Sequence, residues 1–374
     1  MRITFALPDV ANLSGGLRVV SQYTRHLLQQ GHQVSFAVRR PRYAPSRKRK
    51  LLNLTGLGRP TPPLGLSRGH FTGIDVPIIH LDEAKQVRAK DLPDADVIIS
   101  TWWTTAEWAD RLPPSKGRHI HFIQDYEDFY PEYSKRVRAV YQQKNHKIVV
   151  APWLNRKLLA EFGQVSQVVM NGVSIDHFRA PERSRGQPPM IGFMYAQHPR
   201  KNCVLAIQTI RQLHDLRPDL RFIAFGTDQL PDYSPRCIAY ERLPDQTRIP
   251  EIYRSCDLWL FVTRSEGFGL PILEAMASRT PVIATPAGAA PDLIDGRNGV
   301  LSSLDAGEFT KSVLDFLDRS PEEWQAASQA AFRTAQSREL AQAAQDFERA
   351  VLNCLHRDRA PVPAAGQMRS RMAR

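Results

Sequence analysis

The chain has 374 residues, of which 42% are hydrophobic and 24% charged; this is a soluble globular composition, long enough for two domains of ordinary size. No apolar run approaches the roughly 20 residues that span a bilayer, so we expect no transmembrane helix. The formal net charge of +12 favours polyanionic partners without saying which.

The cysteines and the first residues indicate the compartment. The cysteines are scattered and form no C-x-x-C pair, which favours a reducing compartment and argues against structural zinc: Cys203, Cys237, Cys256 and Cys354. The opening MRITFALPDV has too short an apolar part for a signal peptide and lacks a small-residue cleavage site, so a first strand is predicted. We therefore expect a cytoplasmic protein.

The first half alternates strands with helices. Strand RITFALP is followed by a loop over residues 9–16 and by a helix from Leu17 to Gln30. Further strands are predicted at QVSFAV, VPIIHL, ADVIIST, RHIHFIQD and KIVVAP, with an irregular excursion over residues 51–73. Such a βαβ opening places a ligand at the carboxyl ends of the strands.

The second half repeats the pattern after a linker. The polar, proline-rich APERSRGQPP is typical of a linker, and strands MIGFMYA, RFIAFG, CIAYERL and DLWLFVT follow it with helices between them. The chain is therefore predicted to be an α/β protein with two doubly wound, Rossmann-like domains facing a central cleft, at residues 1–172 and 186–336.

The segment SEGFGLPILEA, directly after strand DLWLFVT, carries the clearest chemistry. Gly267 and Gly269 let the chain turn sharply, and the proline suits the first turn of a helix. Free N–H groups at a helix N-terminus favour a phosphate. With Glu266 before the turn and Glu274 after it, the segment is predicted to be a diphosphate seat with a carboxylate on each side.

This strand–EGFGLPxLE–helix element resembles the donor-binding motif of retaining glycosyltransferases with the GT-B fold, the large family 4 group. The resemblance implies that Glu266 meets hydroxyls of the donor sugar and that Glu274 holds the nucleotide ribose. It also implies donor contacts from the turn, through Gly267, Phe268, Gly269 and Leu270.

The resemblance covers most of the chain, strongly from about residue 168 to 301 and more weakly in the first half. NGVSIDHF is similar to the segment that closes the first domain in this family. The resemblance implies that a last helix, residues 337–355, crosses back onto the first domain, and we expect a basic, disordered tail over 356–374.

A glycine turn, Ser14-Gly15-Gly16, stands at the first helix start. Its free N–H groups fit a phosphate or sugar clamp, and family 4 enzymes carry a similar loop that closes over the donor. Since the turn is not G-x-G-x-x-G, a dinucleotide is disfavoured. A tight turn capped by Ser14 remains the structural alternative.

Two cations, Arg200 and Lys201, start a helix after strand MIGFMYA. The family usually has an arginine and, five residues later, a lysine on the diphosphate; Lys201 matches the lysine, whereas Ala196 stands at the arginine position. Cations at a helix start oppose the helix dipole, which favours a nearby anion such as a leaving nucleoside diphosphate. Arg200 is the candidate for the missing charge.

Gln124 and Asp125 end strand RHIHFIQD at the expected cleft edge. The family often has a His-Asp pair in this region, so Gln124 replaces the histidine.

Trp102 and Trp103, after ADVIIS, are candidates to stack on a sugar, with core packing as the alternative. QDYE, WW-T and HPRKN resemble a subset that includes some rhamnosyltransferases. The predicted catalytic residues are Glu266, Lys201, Arg200 and Asp125.

No metal or bound cofactor is expected. Asp94-Ala95-Asp96 spells D-x-D, but it precedes its strand and so lies at the wrong end for the cleft. A turn and cap explain it better, and the cations with the helix N-termini would replace a metal ion.

Basic runs occur at residues 39–50, with seven basic side chains in twelve, and in the tail after Leu355, with five arginines. They fit either solvated segments or contacts to an anionic membrane. They do not alternate with aromatic residues as base stacking requires, so no nucleic acid is expected.

Taken with these observations, the resemblance to family 4 implies a metal-independent, retaining glycosyltransferase. It would move a sugar from a nucleoside-diphosphate sugar, with dTDP-rhamnose as first guess, to a glycan or lipid-linked acceptor in bacterial cell-surface polysaccharide synthesis, at or near the inner membrane face. Two alternatives remain open: a GT-B sugar-nucleotide epimerase using Glu266 and His198, and a non-catalytic nucleotide-sugar binding protein.

Overall fold

A computed structural model describes residues 1–10, 13–39, 69–83 and 85–356. Most of the basic run at 39–50, the excursion up to residue 68 and the tail beyond residue 356 lie outside the described residues. The predictions of an irregular excursion, a disordered tail and membrane contacts therefore stay predictions.

The first domain is built on a seven-stranded parallel sheet. Its strands are β1 (Arg2–Leu7), β2 (Gln33–Val38), β3 (Ile78–His80), β4 (Val97–Ser100), β5 (Arg118–Ile123), β6 (His146–Val149) and β7 (Gln167–Val168). Their order is β3-β2-β1-β4-β5-β6-β7, so the winding direction reverses between β1 and β4. The loops after these two strands diverge there and leave a crevice at their carboxyl ends.

Helices cover both faces of this sheet. They are α1 (Gly15–Gln29), α2 (Trp103–Ala109), α3 (Ser134–Tyr141), α4 (Pro152–Phe162) and α5 (Ile175–Phe178). Ser14 caps α1, because its hydroxyl accepts a hydrogen bond from the N–H of Leu17 at 3.4 Å. α1 buries a helical stripe that includes Val20, Tyr23 and Leu27, and this fixes the helix beside the crevice.

The second domain repeats the winding with six parallel strands. They are β8 (Met190–Tyr195), β9 (Arg221–Gly226), β10 (Ile238–Arg242), β11 (Leu258–Phe261), β12 (Val282–Ala284) and β13 (Gly299–Leu301). The order β10-β9-β8-β11-β12-β13 puts the reversal between β8 and β11. All four residues of β11, LWLF, are buried, as expected for a central strand covered on both faces.

The remaining helices complete the second domain and return to the first. They are α6 (Cys203–Leu216), α7 (Arg248–Ser255), α8 (Leu270–Ala277), α9 (Ala290–Leu293), α10 (Ala306–Leu317), α11 (Pro321–Gln336) and α12 (Leu340–His356). α8 begins after Gly269, whose φ is 98°. A Cβ built on Gly269 would lie 2.9 Å from the Phe261 ring, so both the backbone conformation and the space at this position require glycine. The sharp turn predicted before α8 is present.

The last helix, α12, packs on the first domain. The ring centroid of Phe347 lies 4.6 Å from that of Tyr23, 4.9 Å from that of Phe122 and 6.4 Å from that of Phe5. The N–H of Val173 donates to the Arg338 carbonyl at 2.9 Å, which ties the start of this return to the end of the first domain. The C-terminal segment thus joins the two domains at a second place besides the linker.

The prediction of two doubly wound parallel-sheet domains is confirmed. No helix in the described part of the chain combines the length and the apolar character needed to cross a bilayer. None of the four cysteines forms a disulfide bond in the part of the chain that the structure describes.

Replacing Phe347 by alanine should destabilise the first domain. The ring fills a buried space between α1 and β5, and removing a buried phenylalanine ring costs about 3–5 kcal/mol of unfolding free energy. Urea denaturation followed by circular dichroism measures the loss. Gln345→Ala, on the exposed side of the same helix, should stay within about 0.5 kcal/mol. Equal stability of the two variants would contradict the packing of α12 described here.

Candidate functional site

A cavity of about 860 Å³ lies between the two domains; we call it the cleft cavity. Loops that follow β1, β4 and β5 line it from the first domain, and loops that follow β8 and β11 line it from the second. Both points of strand reversal therefore open onto the same space, where ligands of doubly wound sheets are expected.

The glycine turn before α8 forms one wall. A Cβ built on Gly267 would lie 1.7 Å from the carbonyl oxygen of Gln124, so only glycine allows the first domain to approach this closely. The indole N–H of Trp153 donates to the Gly267 carbonyl at 2.8 Å. Glu266, the residue before the turn, forms an ion pair with Lys201. The structure thus brings together the predicted carboxylate and the predicted cation.

The second carboxylate of the motif, Glu274, lies deeper, in α8. It forms an ion pair with Arg18 of α1, and its other oxygen accepts a hydrogen bond from the Tyr253 hydroxyl at 2.8 Å. Burial acts to lower the pKa of Arg18, but the charge and the hydrogen bond of Glu274 raise it overall. Glu274 is therefore buried, and each of its carboxyl oxygens has a partner.

Arg200 bridges the domains on the other side of the cavity. Its guanidinium lies 2.7 Å from a carboxylate oxygen of Asp125 and 3.8 Å from the Phe129 ring centroid. Burial raises the pKa of Asp125 to about 6; the charge of Arg200 acts against this, and the charge of Glu266 adds to it. Arg200 thus reaches the cleft, as the sequence suggested, with Asp125 as its partner.

The two tryptophans separate. Trp102 lines the cleft cavity, and its indole nitrogen is buried without a hydrogen-bond partner among the described residues. Trp103 begins α2 and is 2% exposed in the first-domain core, where its backbone N–H donates to a carboxyl oxygen of Glu127 at 2.6 Å. The prediction of a sugar contact at Trp103 is therefore wrong, and the alternative prediction of core packing is correct for this residue. The two tryptophans differ because neighbouring residues at a helix start point to different sides.

The glycine turn at the start of α1 closes the cavity between the domains. A Cβ built on Gly16 would lie 3.3 Å from the side-chain nitrogen of Gln124, and one on Gly15 would lie 3.3 Å from the Leu270 side chain. This loop thus contacts both domains beside the start of α8, with Ser14 as its cap.

Some cavity residues were not predicted from the sequence, and they lie far apart along the chain: Arg18, His70 and Phe129. Tyr253, which holds Glu274 from the buried side, was not predicted either. Of these residues, only Arg18 could have been placed at the site from the sequence. It follows Gly15 by three residues in α1, and helix side chains tilt toward the N-terminus of their helix, which here faces the cavity. Burial lowers the pKa of His70, and its Nε2 has no partner among the described residues.

Two further candidates lie away from the cavity. Asp94 and Asp96 sit before β4, where they pair with Lys116 at 2.7 Å and Arg2 at 2.9 Å, so they act as surface ion pairs at the opposite sheet edge. His198 accepts a hydrogen bond from the Arg200 N–H and is not among the cavity-lining residues, which weakens the epimerase alternative.

Within the described ranges, no three His, Cys, Asp or Glu residues are grouped to hold a metal ion.

Sequence comparison identifies a domain in the second half. Residues 188–319 match the family model described as Glycosyl transferases group 1. This range runs from the start of β8 through α10 and contains Lys201, Glu266 and Glu274.

The chain is similar to several named proteins. Lipopolysaccharide core biosynthesis mannosyltransferase LpsB of Rhizobium meliloti is 28% identical over 179 residues, which cover 41% of this chain and 51% of that protein. Phosphatidyl-myo-inositol mannosyltransferase of Mycobacterium tuberculosis is 26% identical over 190 residues, 48% of this chain and 50% of that protein. The chain therefore spans about half the length of these relatives.

Solved structures match over almost the whole chain. HepE of Anabaena, in complex with UDP and glucose, has a TM-score of 0.70 at 15% identity, covering 94% of this chain and 100% of that one. Sucrose-phosphate synthase from Thermosynechococcus elongatus has a TM-score of 0.69 at 16% identity, covering 94% and 99%. The chain has the GT-B fold, and with the group 1 domain this supports a glycosyltransferase.

Asp125 should titrate near pH 6, well above its ordinary value of 3.8. Its folded-state pKa is raised, so its contribution to stability is complete below about pH 3.8 and is lost as the pH rises through 6. Carboxyl NMR of aspartate-labelled protein, assigned with Asp125→Asn, measures the pKa. Arg200→Gln should raise it further, because the neighbouring positive charge is removed, whereas exposed Arg211→Gln should leave it unchanged. A titration near pH 4 would contradict this environment.

Proposed function

We propose that the chain is a retaining glycosyltransferase that uses a nucleoside-diphosphate sugar. One observation carries the proposal: Glu266, Glu274, Lys201 and Arg200 converge with a glycine-bounded helix start on a single cavity between two doubly wound domains. Two carboxylates suit sugar and ribose hydroxyls, while cations and free N–H groups suit a diphosphate.

Each residue then has a role. Glu274 holds the ribose, Glu266 meets the donor sugar, and the turn from Gly267 to Leu270 contacts the diphosphate. Lys201 and Arg200 stabilise the charge that grows on the diphosphate as it leaves. Arg200 supplies the cation that Ala196 lacks, which its place beside the cavity supports.

The reaction forms a bond from an acceptor oxygen to the anomeric carbon and breaks the bond from that carbon to the phosphate oxygen. Attack occurs on the face from which the diphosphate departs, and the departing phosphate oxygen takes the acceptor proton. Closely packed domains exclude water from this step and so limit hydrolysis of the donor. No metal ion is required, since the cations and helix N-termini provide the positive charge.

The acceptor enters from the first domain, where Trp102, Gln124 and Asp125 line the cavity. An indole face can stack on the apolar C–H face of a sugar, and the two polar side chains can bind its hydroxyls. A glycan or lipid-linked acceptor of bacterial surface polysaccharide or glycolipid synthesis fits this wall, and the names of the relatives above support that class. dTDP-rhamnose remains the proposed donor.

The proposed location is cytoplasmic, at the inner membrane face. The basic segments at 39–50 and after Leu355 would contact anionic lipid, at about 1 kcal/mol per basic residue near the surface.

A donor screen tests the site. Nucleoside-diphosphate sugars, including dTDP-rhamnose, GDP-mannose and UDP-glucose, are added with and without magnesium while the melting temperature is recorded. A bound donor at 100 times its Kd stabilises the fold by about 2.7 kcal/mol, so one donor should raise the melting temperature independently of magnesium. Glu274→Gln should strongly reduce the shift; Glu251→Gln, exposed on α7, should retain it. A shift unchanged in Glu274→Gln would refute the ribose seat.

Lys201→Met should slow turnover more than it weakens donor binding. The ammonium stabilises charge that develops only in the transition state, so we expect kcat to fall about 100- to 1,000-fold. Radiolabel transfer to acceptor gives kcat, and NMR of the product's anomeric centre reports retention. Lys311→Met, on the exposed side of α10, is the matched control. An inverted product, or a Lys201→Met variant with full kcat, would overturn the mechanism.

A further inference from the structure

The carboxylate of Glu274 lies at the edge of the cleft cavity but is almost completely covered by protein groups. Its side chain is 6% exposed, and both oxygens are engaged: one by the guanidinium of Arg18 and one by the Tyr253 hydroxyl. Tyr253 is a fully buried neighbour from the same domain. Arg18 is therefore the group that covers the side facing the first domain.

Arg18 comes from the opposite side of the cleft. It lies in the first turn of α1, 256 residues before Glu274, and it lines the cleft cavity. The pair joins α1 of the first domain to α8 of the second, so it can form only when the domains are close together.

We propose that Arg18 occupies the position at Glu274 where the ribose of a nucleoside would bind. There its guanidinium neutralises Glu274 and holds the two domains together until a nucleoside displaces it; we call this ion pair the latch. The proposal rests on the function proposed above for Glu274. It adds that donor binding is an exchange of partners, in which ribose hydroxyls replace a guanidinium supplied by the protein itself.

The exchange follows from the cost of a buried charge. A carboxylate that loses its only cation inside a protein is strongly destabilised unless other donors replace it. Hydroxyls of the sugar ring can donate to the oxygen that Arg18 leaves, two from a ribonucleoside or the 3′-hydroxyl alone from a 2′-deoxynucleoside such as thymidine, while the Tyr253 hydroxyl stays on the other oxygen. The nucleoside can bind Glu274 only after Arg18 leaves, and its hydroxyls then replace the hydrogen bond that Glu274 has lost.

The latch lowers the apparent affinity for nucleotide. When only a fraction of the molecules has Glu274 accessible, the apparent Kd equals the intrinsic Kd divided by that fraction. Removing Arg18 should therefore tighten binding of every ligand that contains the ribose. Two other links across the cleft, from Arg200 to Asp125 and from Trp153 to Gly267, remain, so losing Arg18 should widen the cleft without separating the domains completely.

Isothermal titration of Arg18→Gln with UDP, GDP and dTDP, and with uridine, guanosine and thymidine, tests the competition. We expect Arg18→Gln to bind the preferred nucleoside and its diphosphate about tenfold more tightly than the parent, by the same factor for both. Arg25→Gln, an exposed arginine of the same helix, should bind like the parent. Circular dichroism confirms that each variant is folded.

A different pattern would overturn the proposal. If Arg18→Gln weakened the diphosphate but not the nucleoside, Arg18 would be a phosphate ligand. If it changed neither, Arg18 would not compete for Glu274. In a Glu274→Gln background, Arg18→Gln should have no further effect on affinity, and a full effect there would also refute the competition.

Small-angle scattering without nucleotide tests the latch separately from the donor site. Arg18→Gln should have a larger radius of gyration than the parent and Arg25→Gln, because one link across the cleft is gone. An unchanged radius would refute the latch. If no nucleoside or diphosphate bound any variant, the proposed donor site and the competition would both fail, while the scattering result would still decide whether Arg18 closes the cleft.

Discussion

The approach of two parallel sheets, carboxyl edge to carboxyl edge, is the constraint on which the site depends. Each sheet reverses its winding at one point, and the loops that diverge there are the ones able to surround a ligand. Gly267 shows how close the approach is, because a single added Cβ would collide with the backbone at Gln124. The linker and the return of α12 onto the first domain connect the two domains outside this approach.

Charge balance across this cleft follows from the same approach. Glu266 is neutralised within its own domain by Lys201, whereas Glu274 takes its counter-ion, Arg18, from the other domain. Arg200 is likewise held by a carboxylate from across the cleft. A buried ion pair contributes little net stability but is costly to break from one side. The arrangement therefore suits a site in which a charged ligand exchanges with internal partners, more than one built for stability.

The local part of the site could be predicted from the sequence because it lies on one strand–turn–helix segment. Spacing fixes the glycines and the two glutamates relative to each other, and Lys201 follows the equivalent end of a neighbouring strand. Trp103 shows the limit: its position beside a strand end was predicted, but the direction of its side chain was set by the start of α2, which buries it. Arg200 could be placed at the cleft, but its partner could not be named.

The sequence by itself determined the alternation of strands and helices, the linker between two domains and the strand–glycine turn–helix segment with its two glutamates, because periodicity, glycine and proline act within a few residues of the chain. Only the tertiary structure decided that Arg18 meets Glu274 and that His70 and Phe129 line the same cavity. Such contacts join residues far apart in sequence, and their geometry depends on how two separately wound sheets pack. No local pattern carries that information, because periodicity and turn residues describe only a few neighbouring positions of the chain.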